Sequence, residues 1–182
     1  SLDESFKIAV DFHTKGKIAE AKNIYEKILK VKPDHFLALT NLGIIFSQLR
    51  KLERALELFN KVILINPKYA EGYNNLGNAL FELSEFDKSL NCYKKAVKLD
   101  SNFSDAFNNL GNVYQKKEDF DKAIENYELA ISHDSGSSKD KPYYNLGNIY
   151  RELGNFNKSI DLYKKAIDIN SNSIDAHINL SI

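Results

Sequence analysis

The glycines Gly43, Gly77 and Gly111 recur every 34 residues, and Gly147 follows 36 residues after the last of them. Each sits in a related string: "ALTNLGIIFSQL", "GYNNLGNALFEL", "AFNNLGNVYQKK" and "PYYNLGNIYREL". A fixed period in this range marks a stacked array, because one unit cannot bury its apolar face alone and must lean on its neighbours. Starting each unit seven residues before its glycine gives repeats 36–69, 70–103, 104–137 and 140–173, with Ser138 and Lys139 as a two-residue insertion. A more diverged copy fits 2–35, with Ala9 in place of the glycine. A sixth begins at Ile174 and stops at Ile182, inside its first helix.

Each repeat reads as two helices. Leu76, Leu80 and Leu83 fall at helical spacing, and so do Phe86, Leu90, Tyr93 and Val97. Breakers follow each second helix at Pro33, Pro67, Ser101, Ser135 and Ser171. No alternating apolar run of strand type survives more than a few residues. A glycine inside a helix costs about 1 kcal/mol relative to alanine, so four in register call for a packing reason. The sequence pairs them with small second-helix residues, Gly43 with Val62, Gly77 with Ala96, Gly111 with Ala130 and Gly147 with Ala166, where two helices are expected to approach closely.

Composition narrows the classes. Hydrophobic residues make up 43% and charged residues 27%, as in a folded domain rather than a disordered chain. The formal net charge is zero, which removes the electrostatic argument for nucleic acid or an anionic membrane as partner. No apolar run reaches the roughly 18 residues of a membrane span, and the charged first ten residues do not read as a signal peptide. One cysteine, Cys92, cannot form an internal disulfide, so a cytoplasmic location is expected. The chain has no methionine and therefore reads as a processed form or an excised fragment.

The repeat resembles the tetratricopeptide repeat. The matching residues are leucine-glycine at 42–43, 76–77, 110–111 and 146–147, then an aromatic at Phe46, Tyr114 and Tyr150, with Leu80 as the exception. Small residues follow at Ala55, Ser89, Ala123 and Ser159, and aromatics at Phe59, Tyr93, Tyr127 and Tyr163. The first-helix tryptophan usual in this family is replaced by Leu39, Tyr73, Phe107 and Tyr143, all bulky. The resemblance covers essentially the whole chain, 1–182, and implies an all-α, right-handed superhelical solenoid of antiparallel hairpins. In this family the first helices line a concave face.

One polar column stands outside the packing pattern. Asparagine precedes leucine-glycine at Asn41, Asn75, Asn109 and Asn145, and recurs at Asn179; it follows the glycine at Asn78, Asn112 and Asn148. Residues three apart on a helix share a face, so each "before" asparagine projects with its "after" partner. Asparagine is an indifferent helix former, and propensity does not explain the column. A carboxamide carries two donor and two acceptor sites, the complement of a peptide group, so a row of them suits the main chain of an extended peptide. The column is similar to the asparagine ladder in the tetratricopeptide region of O-linked N-acetylglucosamine transferases. The competing reading has these side chains bonded to the preceding repeat's backbone or facing water; the off-column Asn23, Asn60 and Asn126 show a general asparagine bias.

A second family pattern clamps a partner's terminal carboxylate with two lysines, an arginine and two asparagines. Here Asn78, Asn109 and Lys141 match it, but Asn74 and Asn145 stand where a lysine and the arginine are expected. Carboxylates gain most from charged donors, so this chaperone-type clamp is disfavoured. Apolar residues Phe6, Val10, Leu37 and Ile44 are expected on the inner face toward the N-terminus, with Lys141 and Arg151 among the polar groups further on.

No catalytic or metal-ligand motif is present. The histidines are at least twenty residues apart, and Cys92 has no local cation pattern of a reactive thiolate. "GSSKDKP" at 136–142 lacks the spacing of a phosphate loop, and Asp140 reads as a helix N-cap with Pro142 in the first turn. No enzyme activity, cofactor or metal is expected of this segment. The expected function is a protein-interaction scaffold holding an extended peptide or flexible segment, through Asn41, Asn75, Asn78, Asn109, Asn112, Asn145, Asn148 and Asn179 with Lys141 and Arg151. The alternative is the substrate-recruiting arm of a larger glycosyltransferase, whose catalytic domain would follow Ile182. Self-association through the repeat ends is a further expectation.

Overall fold

The computed structural model describes residues 1–133 and 140–180. Within them lie α1 (Leu2–Thr14), α2 (Ile18–Val31), α3 (Phe36–Gln48), α4 (Leu52–Ile65), α5 (Ala70–Glu82), α6 (Phe86–Leu99), α7 (Ser104–Lys116), α8 (Phe120–His133), α9 (Asp140–Glu152), α10 (Phe156–Ile169) and α11 (Ile174–Leu180). No strand occurs among the described residues. The breaker Ser135, the insertion at Ser138 and Lys139, and Ile182 lie outside them.

The chain forms two compact units, Ser1–Cys92 and Tyr93–Ile182, and the boundary falls inside α6. In the first unit α1 pairs with α2 and α3 with α4, and each second helix then packs on the next first helix. The second unit repeats the scheme through α7–α8, α9–α10 and α11. The buried residues are those that recur: Ala9, Ala21, Tyr25, Ala38 and Leu42 early on, and Ala106, Leu110, Ala123, Tyr127, Leu146 and Tyr163 later. The full burial of an aromatic in each complete repeat accounts for much of the stability, at about 1.5–3 kcal/mol per large side chain.

The glycines answer to those aromatics. A Cβ on Gly43 would lie 2.6 Å from Phe59 Cε1, and one on Gly111 or Gly147 would lie 2.5 Å from Tyr127 or Tyr163 Cε1. The expected partners were the small residues Val62, Ala130 and Ala166. They are buried, but the close approach comes from the ring three residues earlier on the second helix. A ring this close to a first helix needs a site without a side chain, which is why the glycine and the aromatic recur together.

Every hairpin closes the same way. Lys51 N donates to Phe46 O and Arg50 N to Ser47 O, with Arg50 at φ 59. Equivalent bonds run from Glu85 to Leu80, Asp119 to Tyr114 and Asn155 to Tyr150. This is a Schellman closure, in which a left-handed residue lets the chain reverse and satisfies the last helical carbonyls. Gly16 and Gly154 occupy that position in two repeats, but Arg50, Ser84 and Glu118 hold it in three. At three repeat junctions the reversal is an Asx turn: Asn66, Asp100 and Asn170 accept main-chain N–H bonds from Lys68, Asn102 and Asn172.

Candidate functional site

The first helices carry the asparagine column, and the structure shows how it is held. In the second unit Asn112 Oδ1 accepts from Tyr127 Oη at 2.8 Å and from Asn145 Nδ2 at 3.1 Å. One repeat on, Asn148 Oδ1 accepts from Tyr163 Oη at 2.7 Å and from Asn179 Nδ2 at 3.1 Å. Asn145 also donates to Asn108 Oδ1 at 3.1 Å, and Asn179 to Tyr144 Oη at 3.2 Å. The "after" oxygen is therefore a node joining the second helix of its own repeat to the first helix of the next. The sequence reading weighed a bond to the preceding repeat's backbone; the bond is to the preceding repeat's side chains. The off-column Asn60 and Asn126 differ, donating back to the carbonyls of Leu56 and Lys122 on their own helices.

This network orients the carboxamides. Both N–H groups of Asn145 and of Asn179 are engaged within the protein, which leaves their oxygens. Asn112 and Asn148 are engaged through oxygen, which leaves their NH2 groups. All four side chains are half-buried. The helix face thus alternates acceptor and donor sites held in place by buried tyrosines.

In the first unit the network thins out. Repeat one has Val10 where an "after" asparagine would stand, and Asn41 Nδ2 donates straight to Tyr25 Oη at 3.0 Å. Repeat two has Ile44 and Phe59, so neither the carboxamide nor the hydroxyl is there. The half-buried Asn75, one helix on, makes no hydrogen bond among the described residues. Beside it lies a pocket of about 330 Å³, floored by Ile44 and Phe59 and rimmed by Gln48, Asn78 and Glu82. The Arg50 guanidinium pairs with the Glu82 carboxylate at its mouth. Asn78 and Asn109, on α5 and α7, are also half-buried and each has an interaction of its own.

The cations sit apart from this network. Lys141 and Arg151, in the first and last turns of α9, are both exposed. Asn74, at a lysine position of the chaperone-type clamp, is buried. Asp140, expected as the N-cap of α9, is instead its first residue, and its carboxylate accepts from Asn170 Nδ2 at 2.8 Å. Of the apolar positions, Phe6 and Val10 pack against the first core cluster, Leu37 is exposed and Ile44 floors the pocket. Residues 136–139 of "GSSKDKP" lie outside the described residues.

Reactive groups are not assembled. No group of histidine, cysteine and carboxylate residues able to hold a metal occurs among the described residues. Burial pushes the Cys92 thiol up to about 11, so it stays protonated at neutral pH. No helix among the described residues is long and apolar enough to cross a membrane.

Paired antiparallel helices stacked by a recurring glycine-to-ring contact define an α-helical repeat protein. The chain belongs to the tetratricopeptide-repeat family, whose models match residues 8–35, 45–84, 77–118 and 102–172. Solved structures agree. MamA is 29% identical with a TM-score of 0.73, over 90% of this chain and 95% of that one. TTC0263, a thermophilic TPR protein of Thermus thermophilus, is 20% identical with a TM-score of 0.84, over 100% and 97%. YrrB, described as a TPR protein with an unusual peptide-binding site, is 20% identical with a TM-score of 0.70, over 98% and 91%. No curated protein sequence matches the chain. Membership of the family makes this a protein-interaction scaffold.

Proposed function

We propose that the first-helix faces hold an extended peptide or a flexible protein segment by its main chain. The observation that carries this reading is the orientation of the carboxamides: Asn112 and Asn148 offer N–H donors, Asn145 and Asn179 offer oxygens, and both come without rearranging the fold. A peptide main chain presents the same alternation. Asn41, Asn75 and Asn78 add further carboxamides in the first unit, and Asn109 adds one in the second. Because the donors and acceptors are fixed in advance by Tyr127 and Tyr163, little side-chain entropy is lost on binding. Lys141 and Arg151 lie at the rim and set orientation rather than affinity.

A peptide array supplies a binding segment, which is then titrated against the native chain and against N112A/N148A. Each lost hydrogen bond removes about 0.5–1.5 kcal/mol, so the double variant weakens binding by ~1–3 kcal/mol if the losses add. Salt changes the native affinity little, since charge screening acts on exposed ion pairs within roughly 8 Å at physiological strength. Unaltered affinity in the double variant, together with a steep salt dependence, would assign the grip to Lys141 and Arg151 instead.

A further inference from the structure

Repeat two departs from the fourth and fifth repeats at two positions that face one another. Where the fourth and fifth repeats have Asn112 with Tyr127 and Asn148 with Tyr163, it has Ile44 with Phe59. Both changes remove polar groups from one place, and the pocket of about 330 Å³ lies there. Either change alone would leave a polar group facing an apolar one. Made together they give an apolar floor. Ile44 also leaves Asn75 without the partner that its equivalent, Asn145, finds in Asn112; the counterpart of Asn145's other partner, Asn108, is Thr40, whose hydroxyl donates to Phe36 O. Asn75 keeps both N–H groups and its oxygen for a ligand. The charged residues lining the pocket, Arg50 and Glu82, neutralise each other, so neither sign of side chain is attracted.

We infer that Ile44, Phe59 and Asn75 form a side-chain subsite of the first unit, which takes an uncharged aliphatic residue of the bound segment and pairs that residue's main-chain amide with the Asn75 carboxamide. The inference rests on the peptide-holding reading and adds a sequence preference to it. Elsewhere on the first-helix faces the carboxamides contact only main chain and read no side chain. Here the break in the network reads one. The volume is at the small end of ligand pockets, enough for one side chain with its adjoining peptide groups.

The test is a titration of the isotope-labelled full chain with N-acetyl-leucine methylamide, followed by NMR at the Asn75 side-chain NH2 and the Ile44 methyl groups. Both signals should shift and saturate. The glycine, lysine and aspartate analogues should bind at least about threefold more weakly, since they lack the apolar contact or bring an unpaired charge. I44N/F59Y, which restores the pattern of the fourth and fifth repeats, should lose the response, and so should N75A, which breaks no internal bond. Equal responses to the leucine and glycine compounds, a silent Asn75, or a response retained in I44N/F59Y would overturn the subsite. If Asn75 is silent while the Asn112 and Asn148 carboxamides shift, the subsite falls and the main-chain reading stands. If all three are silent, the subsite falls and the main-chain reading is decided by the array-peptide titration.

Discussion

Asn179 donates its carboxamide N–H to Asn148 Oδ1 at 3.1 Å, joining the first helix α11 to the first helix α9. The same oxygen takes the Tyr163 hydroxyl from α10, so three helices meet at one atom. The joint repeats one hairpin earlier at Asn112. A contact that is periodic in the sequence is thus both the fastening of one repeat to the next and the reason the carboxamides face outward as they do.

Removing the hydroxyl from that joint should cost one hydrogen bond. Tyr163→Phe keeps the ring on Gly147 and leaves Asn148 Oδ1 still bonded to Asn179. A loss of ~0.5–1.5 kcal/mol is expected in urea denaturation. No loss would mean that the node adds nothing to stability.

The glycine should resist even alanine. Gly147→Ala places a Cβ about 2.5 Å from Tyr163 Cε1, and the buried ring has nowhere to move. Overpacking of this kind costs about 1–3 kcal/mol and outweighs the ~1 kcal/mol that alanine gains in a helix. The melting temperature should fall. A rise would show that the two helices can part without cost.

Much of this was legible in the sequence because it is periodic. The glycine spacing gave the repeat, and Leu76, Leu80 and Leu83 gave a helix. The glycine's partner differs from the expected one: small residues suggest close approach, yet the ring of Tyr163 or Phe59 makes the contact, and a ring edge reaches further toward a backbone than a small side chain. The asparagine column was visible, but its bonding was not. Two columns 33 residues apart meet only when the rise from one repeat to the next is known, as Asn112 and Asn145 show. The hairpin closure was hidden for another reason. Its left-handed position holds glycine in only two repeats, and Arg50, Ser84 and Glu118 carry no signal of it.

That position offers a stabilising change. Glu118 sits at φ 59, where a side chain costs about 1–2 kcal/mol that glycine does not. Glycine returns ~0.4–1 kcal/mol of that through the freedom it adds to the unfolded chain. Glu118→Gly should therefore stabilise the protein, by up to about 1.6 kcal/mol, in thermal or urea unfolding. Destabilisation would mean that the glutamate side chain makes a larger contribution than its exposed position implies.

Cys92 should behave as an inert thiol. With its pKa pushed up to about 11 by burial, the thiolate at pH 8 is scarcer by ~100-fold than for an open cysteine. Iodoacetamide should label it far more slowly in the native protein than in urea. Equal rates in the two states would contradict the burial.

The claim that the first-helix faces bind the partner is tested most directly by site-specific photo-cross-linking with the array-selected peptide. Benzoylphenylalanine replaces Glu82 on α5 or Arg151 on α9, and in separate proteins Lys61 on α4 or Lys164 on α10, each an exposed second-helix residue. Cross-links from positions 82 and 151, with none from 61 and 164, are the predicted result. Cross-links confined to 61 and 164 would place the partner on the second helices and contradict the account.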